Sequence, residues 1–272
     1  MTDESSPSGE SSEIEIDTTV AHPARVWDYW LGGKDNYPAD QEVGDHLNKT
    51  MPEVVIWARA DREFLGRAVR YMVAEAGLRQ FLDIGTGIPT ADNTHEVAQR
   101  LEPTSRVVYV DNDPIVLAHA RALLDSAPGG ATDYIDADLH QPEVILREAR
   151  RTLDFSRPVG ITLLGILEFV TTDEAYTIVG TLLDAVPSGS HLAIACPTDE
   201  VNTEAMRAVV QSWNDSGATP AVLRGAAELA RFFDGTELLE PGLVSLPQWR
   251  PDRSTLYADR EIGFFCGVGR KP

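Results

Sequence analysis

The segment Arg79-Gln80-Phe81-Leu82-Asp83-Ile84-Gly85-Thr86-Gly87-Ile88-Pro89-Thr90 joins a short apolar run to a glycine-bearing turn, and residues 93–101 beyond it read as a helix. A strand that ends in Gly-x-Gly before a helix brings backbone close to a ligand, because glycine puts no Cβ in the way. The same alternation repeats outward from this point. Residues 107–111 are a β-branched run closed by an acid, and 114–124 a helix with proline near its start. A third strand is expected at 132–135 and its helix at 142–150. Residues 159–167 read as a fourth strand, apolar throughout, as suits one buried on both faces. Residues 173–186 read as a helix and 191–195 as a fifth strand. This alternation implies a parallel sheet with helices on both sides.

The rhythm changes at both ends of the chain. Residues 203–213 and 225–233 look helical, whereas 243–246 and 262–268 look like strands with no full helix between them. Such strands suit an antiparallel pair closing the sheet. Before residue 79 lies an extension of another character. Residues 24–37 are rich in aromatics and glycine, and 59–76 read as an amphipathic helix. The expected division is an acidic disordered tail over 1–20, a helical cap over 21–78 and the α/β domain over 79–272.

Asp111 stands 24 residues after Gly87, at the tip of the second strand, where a ribose diol is held in sheets of this kind. Asp136-Ala137-Asp138 occupies the tip of the third strand. Each feature alone is a tight turn or a surface acid. Together they point to an adenosine site, with Asp111 at the ribose and Asp138 or Asp136 at the adenine amine. A dinucleotide fingerprint asks for Gly or Ala at position 90, where this chain has Thr90 after Pro89, so a nicotinamide-dependent oxidoreductase is the weaker reading.

Three stretches carry a resemblance to a known family. Arg25-Val26-Trp27-Asp28-Tyr29-Trp30-Leu31-Gly32-Gly33-Lys34-Asp35-Asn36-Tyr37, then the segment from Phe81 to Thr90, then Val108-Tyr109-Val110-Asp111-Asn112-Asp113-Pro114 resemble the bacterial S-adenosylmethionine (SAM)-dependent methyltransferases formerly catalogued as a domain of unknown function. The likeness runs from about residue 20 to Pro272 and includes Leu153-Asp154-Phe155-Ser156-Arg157-Pro158. It implies a seven-stranded, mostly parallel, Rossmann-like class I methyltransferase sheet with an N-terminal helical extension, and SAM as cofactor. It implies no particular acceptor. The chain departs from the family pattern at Leu167-Glu168-Phe169, where the family commonly has Leu-His-Phe, and at Ala195-Cys196, where it commonly has Ser-His. Those changes leave a SAM-binding module without catalysis as a rival reading.

Composition sets the remaining bounds. With 272 residues, 43% hydrophobic, the chain can bury one substantial core. Its net charge of −20 disfavours a nucleic-acid backbone as partner and suits small or neutral substrates. No apolar run is long enough for a membrane helix, and no basic leader marks secretion. Two cysteines and six scattered histidines provide neither a disulfide framework nor metal-ligand spacing, which favours a reduced cytoplasm and no metal. Oligomeric state is not legible. The expected cofactor residues are Tyr29, Gly32, Asn36 and Tyr37 from the extension, Asp83, Gly85, Thr86 and Gly87, Asp111 and Asn112, Asp136, Ala137 and Asp138, and Gly165. Glu168, set between Leu167 and Phe169 where an acceptor approaches the methyl, is the expected base, with a capped or salt-bridged structural acid as the alternative. Trp27 and Trp30 are expected to anchor the extension.

Overall fold

The computed structural model describes residues 16–123 and 126–272. Three helices come first. α1 (Pro23–Leu31) starts after His22, with proline in its first turn, and stops at Gly32 in the left-handed region. α2 (Pro38–Thr50) also begins on a proline, and the Asp40 carboxylate accepts from the Tyr37 N–H at 2.8 Å. α3 (Val54–Ala74) buries Val54, Trp57, Ala58, Phe64, Leu65, Ala68, Val69 and Met72, a helical stripe that packs on the sheet. Each large apolar side chain buried in this way contributes on the order of 1.5–3 kcal/mol.

The alternating part follows as β1 (Gln80–Ile84), α4 (Thr94–Leu101), β2 (Arg106–Asp111), α5 (Pro114–Leu123), β3 (Ala131–Asp136), α6 (Pro142–Ala149), β4 (Gly160–Leu164), α7 (Thr172–Asp184) and β5 (His191–Pro197). It continues through α8 (Thr203–Asp215), α9 (Ala226–Ala230), β6 (Glu237–Leu238), β7 (Val244–Ser245) and β8 (Phe264–Arg270). The strand order is β3-β2-β1-β4-β5-β8-β6, with β7 also paired to β8. β1 to β5 are mutually parallel, and β8 runs antiparallel to β5. The sheet thus has eight strands where seven were expected. The edge position beside β8 is filled by two short pieces, β6 opposite Gly269 and Arg270 and β7 opposite Phe265 and Cys266.

Alternate residues of the strands feed opposite cores. Phe81, Val107, Ala193 and Ala195 pack with the N-terminal helices and α8, while Leu82, Val108, Leu192 and Ile194 pack with α6 and α7. Among the described residues no helix is long and apolar enough to cross a membrane.

Several details differ from expectation. β4 ends at Leu164 rather than at 167, because Gly165 turns the chain at φ 62° and Leu167–Phe169 coils into a 3-10 turn. Nor is β4 apolar throughout: the buried Thr162 donates from its hydroxyl to Asp83 at 2.7 Å. The expected tail over 1–20 falls partly on residues 1–15, outside the described residues. Ile16 lies against the cluster of Ile88, Ile115 and Val116, and the Asp17 and Val20 carbonyls accept from Arg25, while residues 17–20 stay exposed. α2 had no counterpart in the sequence reading, its apolar positions being few.

Candidate functional site

The sheet reverses its winding between β1 and β4, and over the carboxyl ends of these strands, with β2 and β3, lies a cavity of about 250 Å³. Its walls come from the loop after β1, the tips of β2 and β3, the turn after β4, and α1 and α3 above. The topology alone places a ligand site there; the side chains decide which ligand.

The loop is built on two glycines with left-handed backbone. Gly85, φ 76°, donates its N–H to the Val110 carbonyl at 2.9 Å, and a Cβ there would lie 2.6 Å from the Ile166 Cβ. Gly87, φ 66°, donates to Asp111 Oδ2 at 2.8 Å, and a Cβ on it would project into open space rather than onto protein. Asp111, 8% exposed, lines the cavity and also accepts at Oδ1 from the N–H groups of Asn112 and Asp113. Burial pushes its carboxyl above the usual carboxylate range, with those N–H groups opposing the shift.

Other acids surround this pair. Asp83 at the end of β1 is held by Thr162 on Oδ1 and by the Thr94 hydroxyl on Oδ2, at 2.6 Å, and burial raises its pKa against those bonds. Asp138 beyond β3 is also partly raised by burial, but bonds from the His140 N–H and ring outweigh this and leave it below the ordinary value. α3 adds Asp61, and burial lifts its carboxyl to about 7. The residues fit SAM. The Asp111 carboxylate is fixed by three backbone donors and still offers lone pairs to a vicinal diol, the Gly87 backbone admits close approach, and an acid-rich wall suits a cationic ligand.

Of the expected residues, Asp83, Gly85, Thr86, Gly87, Asp111, Asn112, Ala137 and Asp138 line this one cavity. The structure does not bring the others to it. Tyr29 donates its hydroxyl to Asp45 at 2.7 Å and ties α1 to α2. Gly32 caps α1, and Asn36 donates to Asp28 and accepts from Gln41. Tyr37 precedes α2 with the Arg25 guanidinium 5.6 Å from its ring centre. Asp136 is exposed at the end of β3. Gly165 stands behind the wall, where a Cβ would meet Trp27 and Glu168. Glu168 itself is 3% exposed in the turn after β4, outside the lining, with Oε2 unpartnered among the described residues. Burial drives its carboxyl to about 8, Arg224 opposing and Asp61 reinforcing. Cys196, its neighbour on β5, is a buried free thiol raised by desolvation, not an exposed nucleophile.

Several lining residues escaped the sequence reading. Trp27 both anchors α1, packing edge-on against Phe264 at 5.9 Å, and faces the cavity. His22 and Asp28 join it from α1 and its cap, and Asp61 and Arg62 from α3. A signal for Asp61 was present, since it interrupts the apolar stripe of α3. The buried Arg224 donates to the Leu167 and Val170 carbonyls at 2.8 and 2.7 Å and holds the turn that presents Phe169. Nothing near it in sequence hints at that clamp.

The likenesses to known proteins agree with this fold. A protein of the DUF574 family from Streptomyces avermitilis MA-4680 is 47% identical, with a TM-score of 0.91 over 95% of this chain and 100% of that one. A candidate methyltransferase from Thermobifida fusca YX is 39% identical, with a TM-score of 0.86 over 94% and 96% of the two chains. Magnesium protoporphyrin IX methyltransferase from Synechocystis PCC 6803, crystallised with S-adenosylhomocysteine (SAH), shares the fold at 13% identity, with a TM-score of 0.55 over 91% and 93%. No curated protein matches the sequence. The family model described as S-adenosyl methyltransferase matches residues 9–272, so the chain, with its glycine loop and Asp111 at one cavity of a methyltransferase sheet, belongs to the S-adenosyl methyltransferase family.

Proposed function

We propose that this SAM-dependent methyltransferase transfers its methyl group to a small-molecule acceptor, in the cytoplasm. The observation that carries the reading is the roofed cavity: α1 and α3 cover the strand ends, leaving about 250 Å³ rather than an open groove. The strongly acidic chain disfavours nucleic acid as acceptor. Two free cysteines, buried on opposite faces of adjacent strands, suit a reducing compartment.

Bound SAM supplies an electrophilic methyl on a sulfonium. The chain's own residues do the rest. Gly85 and Gly87 admit the donor, Asp111 holds the ribose hydroxyls, Asn112, Ala137 and Asp138 face the adenine, and Thr86 and Asp83 shape the floor. Trp27, Leu65 and Phe169 offer apolar surface for an acceptor and exclude water. Glu168 lies behind that surface, so its carboxyl acts on the site through the turn it occupies rather than on the acceptor.

The test is transfer of label from methyl-tritiated SAM into fractionated cell extract. Label should enter the small-molecule fraction. Label confined to protein or nucleic acid would overturn the reading.

A further inference from the structure

Asp61 stands in the middle of the buried stripe of α3, between Trp57 and Ala58 on one side and Phe64 and Leu65 on the other. It is 5% exposed and lines the cavity, and its Oδ1 is enclosed without a hydrogen bond from the described residues. An apolar stripe that spends a core position on an unpartnered carboxyl loses stability unless a ligand compensates.

The groups facing Asp61 do not compensate. Arg62 is on the same helix, Asp83 comes from β1, Glu168 from the turn after β4, and the Cys196 and Cys266 thiols from β5 and β8. Arg62 acts on Asp61 and Asp83 while Glu168 has Arg224, so three carboxyls stand against two guanidiniums. Arg62 turns Nη2 to the Ala91 and Asp92 carbonyls and to Asn93 Oδ1, on the loop after β1. The cavity is short of positive charge at this end. It is also the end away from Asp111 and Asp138, hence away from the adenosine and toward the sulfur.

SAM and SAH share one skeleton and differ by a methyl and the sulfonium charge. We propose that Asp61 is the counter-charge to the sulfonium, so that the cavity holds the methyl donor and lets the demethylated product leave. The proposal rests on the reading that SAM occupies this cavity. Burial sets the free carboxyl near 7, with Arg62 lowering it and Asp83 raising it. A cation bound beside it favours the ionised form. SAM binding therefore releases protons below about pH 7, and SAH binding does not.

Calorimetric titration of SAM and of SAH, each from about pH 6 to 8.5 in two buffers of different ionisation heat, tests this on the wild type and on Asp61→Asn. In the wild type the ratio of SAM to SAH affinity should rise with pH through about 7 and then level off. In Asp61→Asn, which keeps the shape, SAH should still bind, while the ratio becomes independent of pH and falls roughly tenfold at pH 8, the scale of one charge pair in a partly dry site. An unchanged ratio and pH profile in the variant would overturn the proposal, and so would loss of SAH binding along with SAM. If the wild type bound neither ligand, the underlying cofactor reading would fail instead.

Discussion

At the scale of single residues, Asp111 and Glu168 are two buried acids with unequal supplies of hydrogen-bond donors. Asp111 is braced by three backbone donors, so the Asp111→Ala change removes both the acceptor proposed for the ribose and the brace of the Gly87 turn. Charge-assisted bonds to two hydroxyls contribute about 1.5–3 kcal/mol, so SAH affinity should fall at least tenfold by calorimetry while far-ultraviolet circular dichroism stays unchanged. An unaltered dissociation constant would make Asp111 a turn residue alone. Glu168 has no such donors at Oε2, and its carboxyl sits near 8 against an ordinary 4.5. A group that binds its proton more tightly when folded is neutral in its effect below its unfolded pKa and costs stability progressively as pH rises from about 4.5 to 8. Glu168→Gln removes that cost. Its melting temperature should exceed the wild type's by a few degrees at pH 8, and by little near pH 5. A gap that does not widen with pH would show the carboxyl to be paired after all.

Among the elements, the N-terminal extension works as a roof because it is latched at named points. His22 Nδ1 lies 2.9 Å from Asp113 Oδ2, and the Arg25 guanidinium lies 3.5 Å from Asp113 and 3.6 Å from Asp40. Ile16 adds an apolar contact below. Cutting the chain after residue 15 keeps every one of these contacts. Cutting after residue 20 removes Ile16 and the Asp17 and Val20 carbonyls that hold Arg25, and should lower the melting temperature and weaken SAH. Equal behaviour of the two truncations would show that residues 16–20 contribute nothing to the roof. Much of this roof was hidden in the sequence, for a physical reason. Tyr29, Asn36 and Tyr37 are polar aromatics and amides beside glycine, which is also the composition of a helix-turn-helix junction, and their partners Asp45, Asp28 and Gln41 supply no periodic signal. Asp61 was legible in principle as an acid inside an apolar stripe, whereas the Arg224 clamp joins residues more than fifty positions apart.

For the whole molecule, the sheet was the most readable part. Residues buried on both faces give continuous apolar runs, and each run ended near its expected point except β4, which Gly165 stops early. The late antiparallel pairing was legible from β8 and β7, but β6 is two exposed residues and leaves no pattern to read. Because strand order puts the tips of β1, β2 and β3 side by side, the Asp83–Gly87 loop meets Asp111 and Asp138 from well separated parts of the sequence. The central claim is that this meeting point seats SAM, and the direct measurement is a crystal structure of the protein grown with SAH. The ribose hydroxyls should lie on the Asp111 carboxylate, the adenine toward Asp138, and the sulfur toward Asp61 beneath α1 and α3. SAH bound elsewhere, with Asp111 making only its three backbone contacts, would contradict it.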